Sequence, residues 1–241
     1  MQLSERTILI TGSAQRIGRS LALATAKLGA DLVIHYNSSR AEAISLQSQI
    51  QELGRQAKIF QSDFSSPSEI KDFSENVFRS GQIDTVINSA SVFTDLNWKS
   101  TSSDDWIKHQ NINLLAPFLI CQSFAKQLPA GKKGRIINLL DWRALRPGPD
   151  HLPYTVSKAG LASLTRSLAI SLAPNITVNG IALGAILPPS DGGNVEDLVS
   201  TLPIPRWADI AELVDTLLFL LTGPEYITGE IIHLDGGRHL I

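Results

Sequence analysis

The chain has 241 residues, of which 43% are hydrophobic and 18% charged, with a formal net charge of −2 at pH 7. This composition is typical of one globular domain with a large core, and the absence of a Lys- and Arg-rich segment argues against binding to nucleic acid. Cys121 is the only cysteine and the five histidines lack zinc-binding spacings, so the sequence predicts no disulfide and no metal site. Without a signal pattern or an apolar run of about 20 residues, we expect a cytoplasmic protein with no membrane partner.

Short apolar runs alternate with longer helical patterns along the whole chain, as in βαβ units. We predict strands at residues 7–11, 31–36, 57–63, 84–90, 135–140, 176–182 and 230–235. We predict helices at residues 17–29, 40–53, 67–79, 103–128, 153–172 and 208–221. Because the strands are continuously apolar, both faces of the sheet should be covered by helices. The predicted fold class is α/β, a single-domain, Rossmann-type doubly wound parallel sheet of seven strands over residues 1–241.

The first strand runs into the segment TGSAQRIG, which begins at Thr11 and Gly12 and ends at Gly18 in the opening turn of a helix. A backbone that approaches a pyrophosphate needs glycines, and the helix N-terminus supplies N–H groups and a positive dipole end. The spacing is TGxxxRIG rather than GxGxxG, and Arg16 adds a bidentate phosphate donor. We interpret the segment as a cofactor phosphate loop; the alternative is an ordinary strand–helix turn.

The end of the second strand indicates which cofactor the loop holds. A fold that prefers NAD has an acidic residue there, but the first acid is Glu42, inside the following helix. The neutral and basic residues before it favour the 2′-phosphate of NADP over NAD. The third and fourth strands end in SDF and NSA, which suit an adenine amino group and close backbone approach. The predicted cofactor contacts at these three strand ends are His35, Tyr36, Asn37, Ser38, Ser39, Arg40, Asp63, Phe64, Asn88, Ser89 and Ala90.

Tyr154 and Lys158 are four residues apart and therefore lie on one face of the helix predicted at 153–172. An ammonium beside a phenol is expected to lower the tyrosine pKa from about 10, which makes the hydroxyl a usable proton donor. This spacing also describes a solvated helix face. The catalytic interpretation of the pair is supported by the phosphate loop, by Asn113 in NINLLAPF and by Asp141 thirteen residues before the tyrosine.

With these motifs the chain resembles the short-chain dehydrogenase/reductase family from the first strand to the closing LDGGRHL. The resemblance implies an NADP-dependent oxidoreductase in which Asn113, Tyr154 and Lys158 are catalytic. It adds to the cofactor contacts Ile17, Tyr154, Lys158, Gly184 and Ile186. Leu183 stands where the family usually has a proline, and Asp141 stands where its carbonyl reductases have a serine.

Asp141 together with TGxxxRIG resembles the pteridine reductases and the related dihydromonapterin reductases. The segment NSASVF resembles their NNASxF, in which the positions of Ser91 and Phe93 contact the pterin. The resemblance implies NADPH-dependent reduction of a dihydropterin, with oxidised pterins and dihydrofolate as further substrates. It implies a catalytic role for Asp141 and a water relay from Asn113 to Lys158. The implied substrate contacts are Arg16, Ser91, Phe93, Asp141 and Tyr154.

Alternatives remain at each of these points. Phe93 could be a hydrophobic loop plug, and Asp141 could be incidental in a 3-oxoacyl or other carbonyl reductase. A non-catalytic NADP-binding sensor is a further possibility from another class. The resemblance also implies a homotetramer built through the helices at 103–128 and 153–172. The Pro- and Gly-rich segment 183–205 is a candidate substrate lid.

Overall fold

The computed structural model describes residues 3–187 and 199–241. Its strands are β1 (Thr7–Ile10), β2 (Asp31–Tyr36), β3 (Ala57–Gln61), β4 (Thr85–Asn88), β5 (Gly134–Asp141), β6 (Ile176–Leu183) and β7 (Ile231–Leu234). Its α-helices are α1 (Arg16–Lys27), α2 (Arg40–Glu52), α3 (Pro67–Arg79), α4 (Ser103–Gln110), α5 (Ala116–Gln127), α6 (Leu152–Leu172) and α7 (Ile210–Thr222). Short 3₁₀ turns follow β5 and β7, at Trp142–Ala144 and Arg238–Leu240.

The seven strands form one parallel sheet in the order β3-β2-β1-β4-β5-β6-β7. The strand order reverses between β1 and β4. In an open α/β sheet, ligands bind outside the carboxyl ends of the strands at such a switch point. The predicted fold class is therefore confirmed, and the topology places the candidate site at this edge of the sheet.

Alternating side chains of each strand enter opposite layers of the core. In β1, Ile8 and Ile10 pack on one face of the sheet and Leu9 packs on the other. Residues of α1, α2 and α7 cover the first face, and residues of α3, α5 and α6 cover the second. Burying each such leucine or isoleucine stabilises the fold by about 1.5–3 kcal/mol. The layers hold the strand ends, and hence the site residues, in fixed positions.

The helix predicted at 103–128 is interrupted, and that prediction is wrong over residues 111–115. After α4, the segment Asn111–Leu115 is π-helical, and the N–H of Ala116 donates to the carbonyl of Asn111. A π-helical turn inserts an extra residue into a helix and often occurs at functional sites. This one carries the predicted catalytic residue Asn113.

The predicted lid lies partly outside the described residues, because residues 188–198 are not among them. On its first side, the N–H of Gly184 donates to the carbonyl of Leu234 at the end of β7. On its second side, the N–H of Ile204 donates to the carbonyl of Gly236. Both ends of the segment are thus bonded to the edge of the sheet beside β7.

Candidate active site

Two glycines let the loop after β1 pack against neighbouring backbone. Gly12 has a left-handed φ of +63°, and a Cβ there would lie 2.8 Å from the Cα of Ala90. A Cβ on Gly18 would overlap the carbonyl oxygen of Gly12. The Thr11 hydroxyl accepts hydrogen bonds from the N–H groups of Ser89 and Ala90, at 2.9 and 3.0 Å. A side chain at Gly12 would separate the loop from the end of β4, and one at Gly18 would separate α1 from the loop.

The N-terminus of α1 is built to face an anion. Arg16, its first residue, has a φ of +49°, a conformation that is uncommon outside glycine and is found at functional sites. Gln15 makes no side-chain capping bond, and the first turn contains no acidic residue. The partial positive charge of the helix end is therefore not compensated within its own first turn, which suits a phosphate group.

His35 is a buried side chain that holds the phosphate loop in place by a hydrogen bond to Gly12. Its ring is buried, its Nδ1 accepts the N–H of Gly12 at 3.0 Å, and its Nε2 lies 3.1 Å from the carbonyl of Ser62. It stacks on Phe64 with ring centroids 3.9 Å apart. Burial lowers its pKa from 6.5 to about 4, against opposing contributions from the Ser62 carbonyl and from Asp63. The ring is thus neutral near pH 7, with its proton on Nε2.

These elements border a cleft of about 490 Å³ beside β1–β4, a volume in the range of cofactor pockets. The sequence-predicted residues that line it are Gly12, Arg16, Ile17, Gly18, His35, Asn37, Asp63, Phe64, Ser89, Ala90 and Ser91. The lining residues that sequence reasoning missed are Gln15, Val92, Lys108 and Ile112. Lys108 and Ile112 come from α4 and the π-helical turn, distant in sequence from the loop. A glycine cradle, a helix N-terminus and an acid after β3 fit a dinucleotide such as NADP.

Some residues predicted as cofactor contacts do not line this cleft. They are Tyr36, Ser38, Ser39, Arg40, Asn88, Tyr154, Lys158, Gly184 and Ile186. The buried Asn88 amide donates to Asn138 Oδ1 at 2.8 Å, so its side chain ties β4 to β5. Gly184 packs on β7, where a Cβ would lie 2.6 Å from the Cα of Asp235. Asn88 and Gly184 shape the site through packing and hydrogen bonds of the scaffold.

The opening turn of α6 brings Tyr154 to the end of β5. The Tyr154 hydroxyl donates to Asp141 Oδ2 at 3.1 Å. Lys158, one turn later, is buried; its Nζ donates to the carbonyl of Leu139 at 2.8 Å and lies 5.7 Å from the Tyr154 ring centroid. The structure therefore brings together the predicted residues Asp141, Tyr154 and Lys158.

The pKa values of these three side chains do not follow the expectation that Lys158 lowers the pKa of Tyr154. Burial raises the pKa of Asp141, although Arg143, Tyr154 and Lys158 oppose the change. Burial and the adjacent Asp141 raise the pKa of Tyr154 well above 10. Burial lowers the pKa of Lys158 to about 8, and Asp141 opposes that shift. The predicted lowering of the Tyr154 pKa is wrong for this arrangement, because burial and the adjacent Asp141 carboxyl both raise it.

Asn113 connects the cleft to α6. Its Oδ1 accepts from the N–H of Val92 at 2.9 Å and from the Ser91 hydroxyl at 3.2 Å. Its Nδ2 donates to the Val92 carbonyl at 3.0 Å and to Ser157 Oγ at 2.9 Å. All four hydrogen-bonding positions of the side-chain amide are used by protein groups. A water relay at Asn113 would therefore involve its backbone carbonyl and not its side chain.

Phe93 presents an exposed ring beside Tyr154. The side chain is 54% exposed, and its centroid lies 4.6 Å from that of Tyr154 in an edge-on arrangement. One face of the ring stacks on His151 at 4.0 Å. Sequence reasoning missed His151, which has a left-handed φ of +49°. A flat substrate would have to stack on the other face of Phe93.

The turn after β5 contributes further residues that sequence reasoning missed. The Arg143 guanidinium donates to Asp150 at 2.7 Å, and its backbone N–H donates to Asp141 Oδ1 at 2.8 Å. The Arg143 and Arg238 guanidinium carbons lie 4.7 and 4.4 Å from the Trp142 ring centroid. In the sequence, the position of Arg143 two residues after Asp141, at the end of a predicted strand, is the feature that could have indicated its place in the site.

A metal cluster or a membrane-spanning helix would be a further functional feature of residues 3–187 and 199–241. Within these ranges no group of three or more His, Cys, Asp or Glu side chains is arranged to hold a metal ion. The helices of the same ranges include none long and apolar enough to cross a membrane.

A sheet of this topology with a TGxxxRIG loop and a Tyr–Lys pair defines a class of nucleotide-dependent oxidoreductases. A family model described as enoyl-(acyl carrier protein) reductase matches residues 12–239. The chain belongs to the short-chain dehydrogenase/reductase family, as its motifs predict. One relative, a 3-oxoacyl-[acyl-carrier-protein] reductase from Synechocystis sp., is 29% identical over 240 residues, which cover 98% of this chain and 97% of that protein.

Two solved structures share the whole fold. One is the FolM alternative dihydrofolate reductase 1 from Brucella suis in complex with NADP, with 33% identity, a TM-score of 0.88 and coverage of 98% of this chain and 96% of that one. The other is a blue fluorescent protein from a metagenomic library in complex with NADPH, with 30% identity, a TM-score of 0.91 and coverage of 98% and 99%. The prediction of an NADP-binding oxidoreductase is confirmed at the level of the family.

Proposed function

We propose that this protein is an NADPH-dependent reductase of pterins that converts a dihydropterin to a tetrahydropterin, with oxidised pterins and dihydrofolate as further candidates. The single observation that carries the proposal is the hydrogen bond of 3.1 Å between the Tyr154 hydroxyl and the Asp141 carboxyl. The exposed ring of Phe93 packs edge-on against Tyr154, with ring centroids 4.6 Å apart. A carboxyl, a phenol and an aromatic face together suit a flat ring that carries amino and N–H donors.

The carboxyl distinguishes this substrate class from simple ketones. An ionised Asp141 would repel the negative charge that develops on a carbonyl oxygen during reduction. The same group accepts hydrogen bonds from an amino-pyrimidine edge, and in its protonated form it can supply a proton. Offset stacking of a heteroaromatic ring on Phe93 contributes about 0.5–1.5 kcal/mol beyond burial. The site therefore favours a pterin over an aliphatic ketone.

Reduction of a ring C=N bond needs a hydride at carbon and a proton at nitrogen. NADPH, when bound, supplies the hydride. The residues of the phosphate loop and of the strand ends would hold the cofactor. Asn37 lines the cleft, and residues 38–40, which follow it outside the cleft lining, carry no acid that would repel a 2′-phosphate. Tyr154 Oη would donate its proton to the ring nitrogen, and a protonated Asp141 carboxyl, whose Oδ2 lies 3.1 Å from Oη, would then donate its own proton to the phenolate. Buried Lys158 stabilises the transient phenolate.

A second candidate is a 3-oxoacyl or other carbonyl reductase in which Asp141 is incidental. The Synechocystis relative, which is named as a reductase of that kind, favours it. The Brucella suis structure, whose name includes alternative dihydrofolate reductase, favours the pterin or folate substrate. The two candidates differ at Asp141, because only the first gives the carboxyl a role.

The experiment that tests the proposal measures NADPH oxidation with dihydrobiopterin, dihydromonapterin, dihydrofolate and an acetoacetyl thioester in parallel. We expect the highest kcat/KM with a dihydropterin. A higher kcat/KM for the thioester would replace the proposal with the second candidate. Tight NADPH binding without turnover of any of the four would instead indicate a non-catalytic NADP-binding protein.

We also propose that the protein is a homotetramer assembled through α4, α5 and α6. Partly exposed apolar side chains occur on these helices, including Ile107, Phe118, Val156 and Ile170. Scattered exposed apolar residues are common on monomers, but Ile170 is 82% exposed. A helix-to-helix interface between subunits would bury them.

A further inference from the structure

The guanidinium of Arg143 lies within 4.0 Å of two carboxylates, that of Asp141 and that of the more exposed Asp150. Its Nη2 donates to Asp150 Oδ2 at 2.7 Å, while its Nη1 is 4.0 Å from Asp141 Oδ1. The distance to Asp150 is that of a direct charge-assisted hydrogen bond, and the distance to Asp141 is not. Arg143 therefore bonds Asp150 and leaves Asp141 without a direct bond to its guanidinium.

The surroundings of Arg143 keep it in this position. The side chain is only 13% exposed, and its guanidinium carbon lies 4.7 Å from the Trp142 ring centroid and 5.8 Å from that of Phe93. Within the described ranges its buried Nε has no hydrogen-bond partner. A planar cation held between aromatic rings has few orientations available. The hydrogen bond to Asp150 therefore determines that the guanidinium bonds Asp150 and not Asp141.

We propose that Arg143 is a positioning residue for the proton on Asp141, and that Asp150 controls it by holding the guanidinium away from the catalytic carboxyl. This inference rests on the proposed function, in which protonated Asp141 resupplies Tyr154. A guanidinium bonded directly to Asp141 would stabilise the carboxylate and remove the proton that the reaction uses.

The two partners of Arg143 should act on Asp141 with opposite sign. Removing the cation takes away a charge that favours the carboxylate, so Asp141 should hold its proton to higher pH. Removing the Asp150 charge eliminates a like charge and frees the guanidinium to approach, so Asp141 should lose its proton at lower pH. The bond from the Arg143 backbone N–H to Asp141 Oδ1 persists in every side-chain variant.

Other charged or titratable groups near Asp141 stay unchanged in these variants. Tyr154 and Lys158 face it from α6, and Arg238 interacts with it from the C-terminal turn. Asp150 also lies 3.7 Å from His151 Nε2, and Arg238 interacts with Arg143 and Asp150 as well as with Asp141. The opposite signs of the two shifts, and not the size of either, therefore report on the Arg143–Asp150 pair.

The test is a ¹³C NMR titration of the full chain carrying aspartate labelled at the carboxyl carbon, alone and with NADP⁺. The Asp141 resonance is assigned by its loss in Asp141→Asn. In Arg143→Gln we expect the Asp141 midpoint to rise by about one pH unit, the scale of removing an opposite charge at this distance. In Asp150→Asn we expect a smaller fall. Arg143→Lys keeps the charge and should move the midpoint less than Arg143→Gln.

Midpoints that do not move, or that move in the same direction in both variants, would overturn the inference. Thermal unfolding and NADPH affinity show whether each variant is folded, and Arg143→Met, which also removes the charge, serves if Arg143→Gln is not. With dihydropterin as substrate, the pH at which kcat falls should shift in the same directions as the midpoints. Shifted midpoints in an enzyme that does not reduce pterins would refute the proposed function and leave the charge coupling intact.

Discussion

Asp141 and Tyr154 share a hydrogen bond in a buried setting. Burial raises the pKa of Asp141 against an opposing contribution from Tyr154, whereas burial and the Asp141 carboxyl both raise the pKa of Tyr154. Asp141 is protonated below its raised pKa and ionised above it. If the proton on Asp141 is used in the reaction, kcat should be highest at mildly acidic pH and should decrease as pH rises through that pKa. A pH profile of kcat with saturating NADPH and pterin measures this directly.

Replacing Asp141 separates proton supply from binding. We expect Asp141→Ser to reduce pterin turnover by about 10²-fold, the scale of losing a positioned acid, with little change in NADPH affinity. Asp141→Asn keeps the size and some hydrogen bonds but cannot supply the proton, so it should be similarly inactive. Undiminished turnover with an unchanged pH profile in the serine variant would show that Asp141 is incidental.

His35 can be tested with two amides of different reach. The Asn amide lies near the position of Nδ1, so His35→Asn can still accept from Gly12, whereas the Gln amide reaches the position of Nε2. His35→Gln leaves the Gly12 N–H without its acceptor, a loss of about 1–3 kcal/mol, and should weaken NADPH binding by about tenfold. His35→Asn should weaken it less, as measured by nicotinamide fluorescence.

Equal affinities in the two variants would show that the contact to Gly12 does not matter, since both lose the stack on Phe64.

His35 also makes stability depend on pH. Its pKa is lowered from 6.5 to about 4, so the unfolded chain binds the proton first. The free energy of unfolding should therefore fall as pH drops through this window.

Phe93 is exposed and contributes little to the core, so its removal should leave the fold intact. We expect Phe93→Ala to raise KM for the pterin by about 2- to 10-fold, which corresponds to a stacking contribution of about 0.5–1.5 kcal/mol. NADPH affinity should stay the same. Trp98→Ala, an exposed aromatic further along the same loop, is the matched control. A parallel loss of NADPH affinity in the Phe93 variant would place the ring in the scaffold.

At the scale of elements, the junction between β2 and α2 should determine the choice of cofactor. Residues 37–40 carry no acid, so we expect kcat/KM with NADPH to exceed that with NADH by at least about tenfold. Arg40→Asp or Ser38→Asp should reduce this ratio through repulsion of the 2′-phosphate. Lys126→Asp, near the C-terminus of α5, is the control charge change. Equal efficiencies with both cofactors in the unmodified protein would contradict the prediction.

The π-helical turn shows what periodicity cannot predict. Apolar spacing over 103–128 indicates one helix, and the chain forms two α-helices joined by the π-helical segment Asn111–Leu115. The amide of Asn113 bonds both polar groups of the Val92 backbone and the Ser157 hydroxyl. Those partners are 21 and 44 residues away along the chain. The local distortion is therefore linked to tertiary contacts that no window of sequence contains.

At the scale of the molecule, the proposed tetramer can be tested by light scattering after size exclusion. Ile170→Glu places a charge on an apolar side chain of α6 that is 82% exposed. If α6 lies in the interface, burying that charge is unfavourable, and the mass should fall to that of a smaller assembly. Ile44→Glu on α2 should leave the mass unchanged. A monomer in the unmodified protein would refute the proposal.

The sequence by itself determined the fold class, the phosphate loop and the Tyr–Lys pair. Each is encoded in local patterns: a period of two in strands, a period of 3.6 in helices, and glycines where backbones meet. These patterns hold whatever surrounds them, which is why strand positions were predicted to within a few residues.

Only the tertiary structure decided the electrostatics of the site. Whether Tyr154 is made more or less acidic depends on its distances to Asp141 and Lys158 and on burial. Burial depends on every element packed around a residue. For the same reason, the sequence did not predict that His35 bonds the phosphate loop at Gly12. It also did not predict the contact between Arg143 and Asp150.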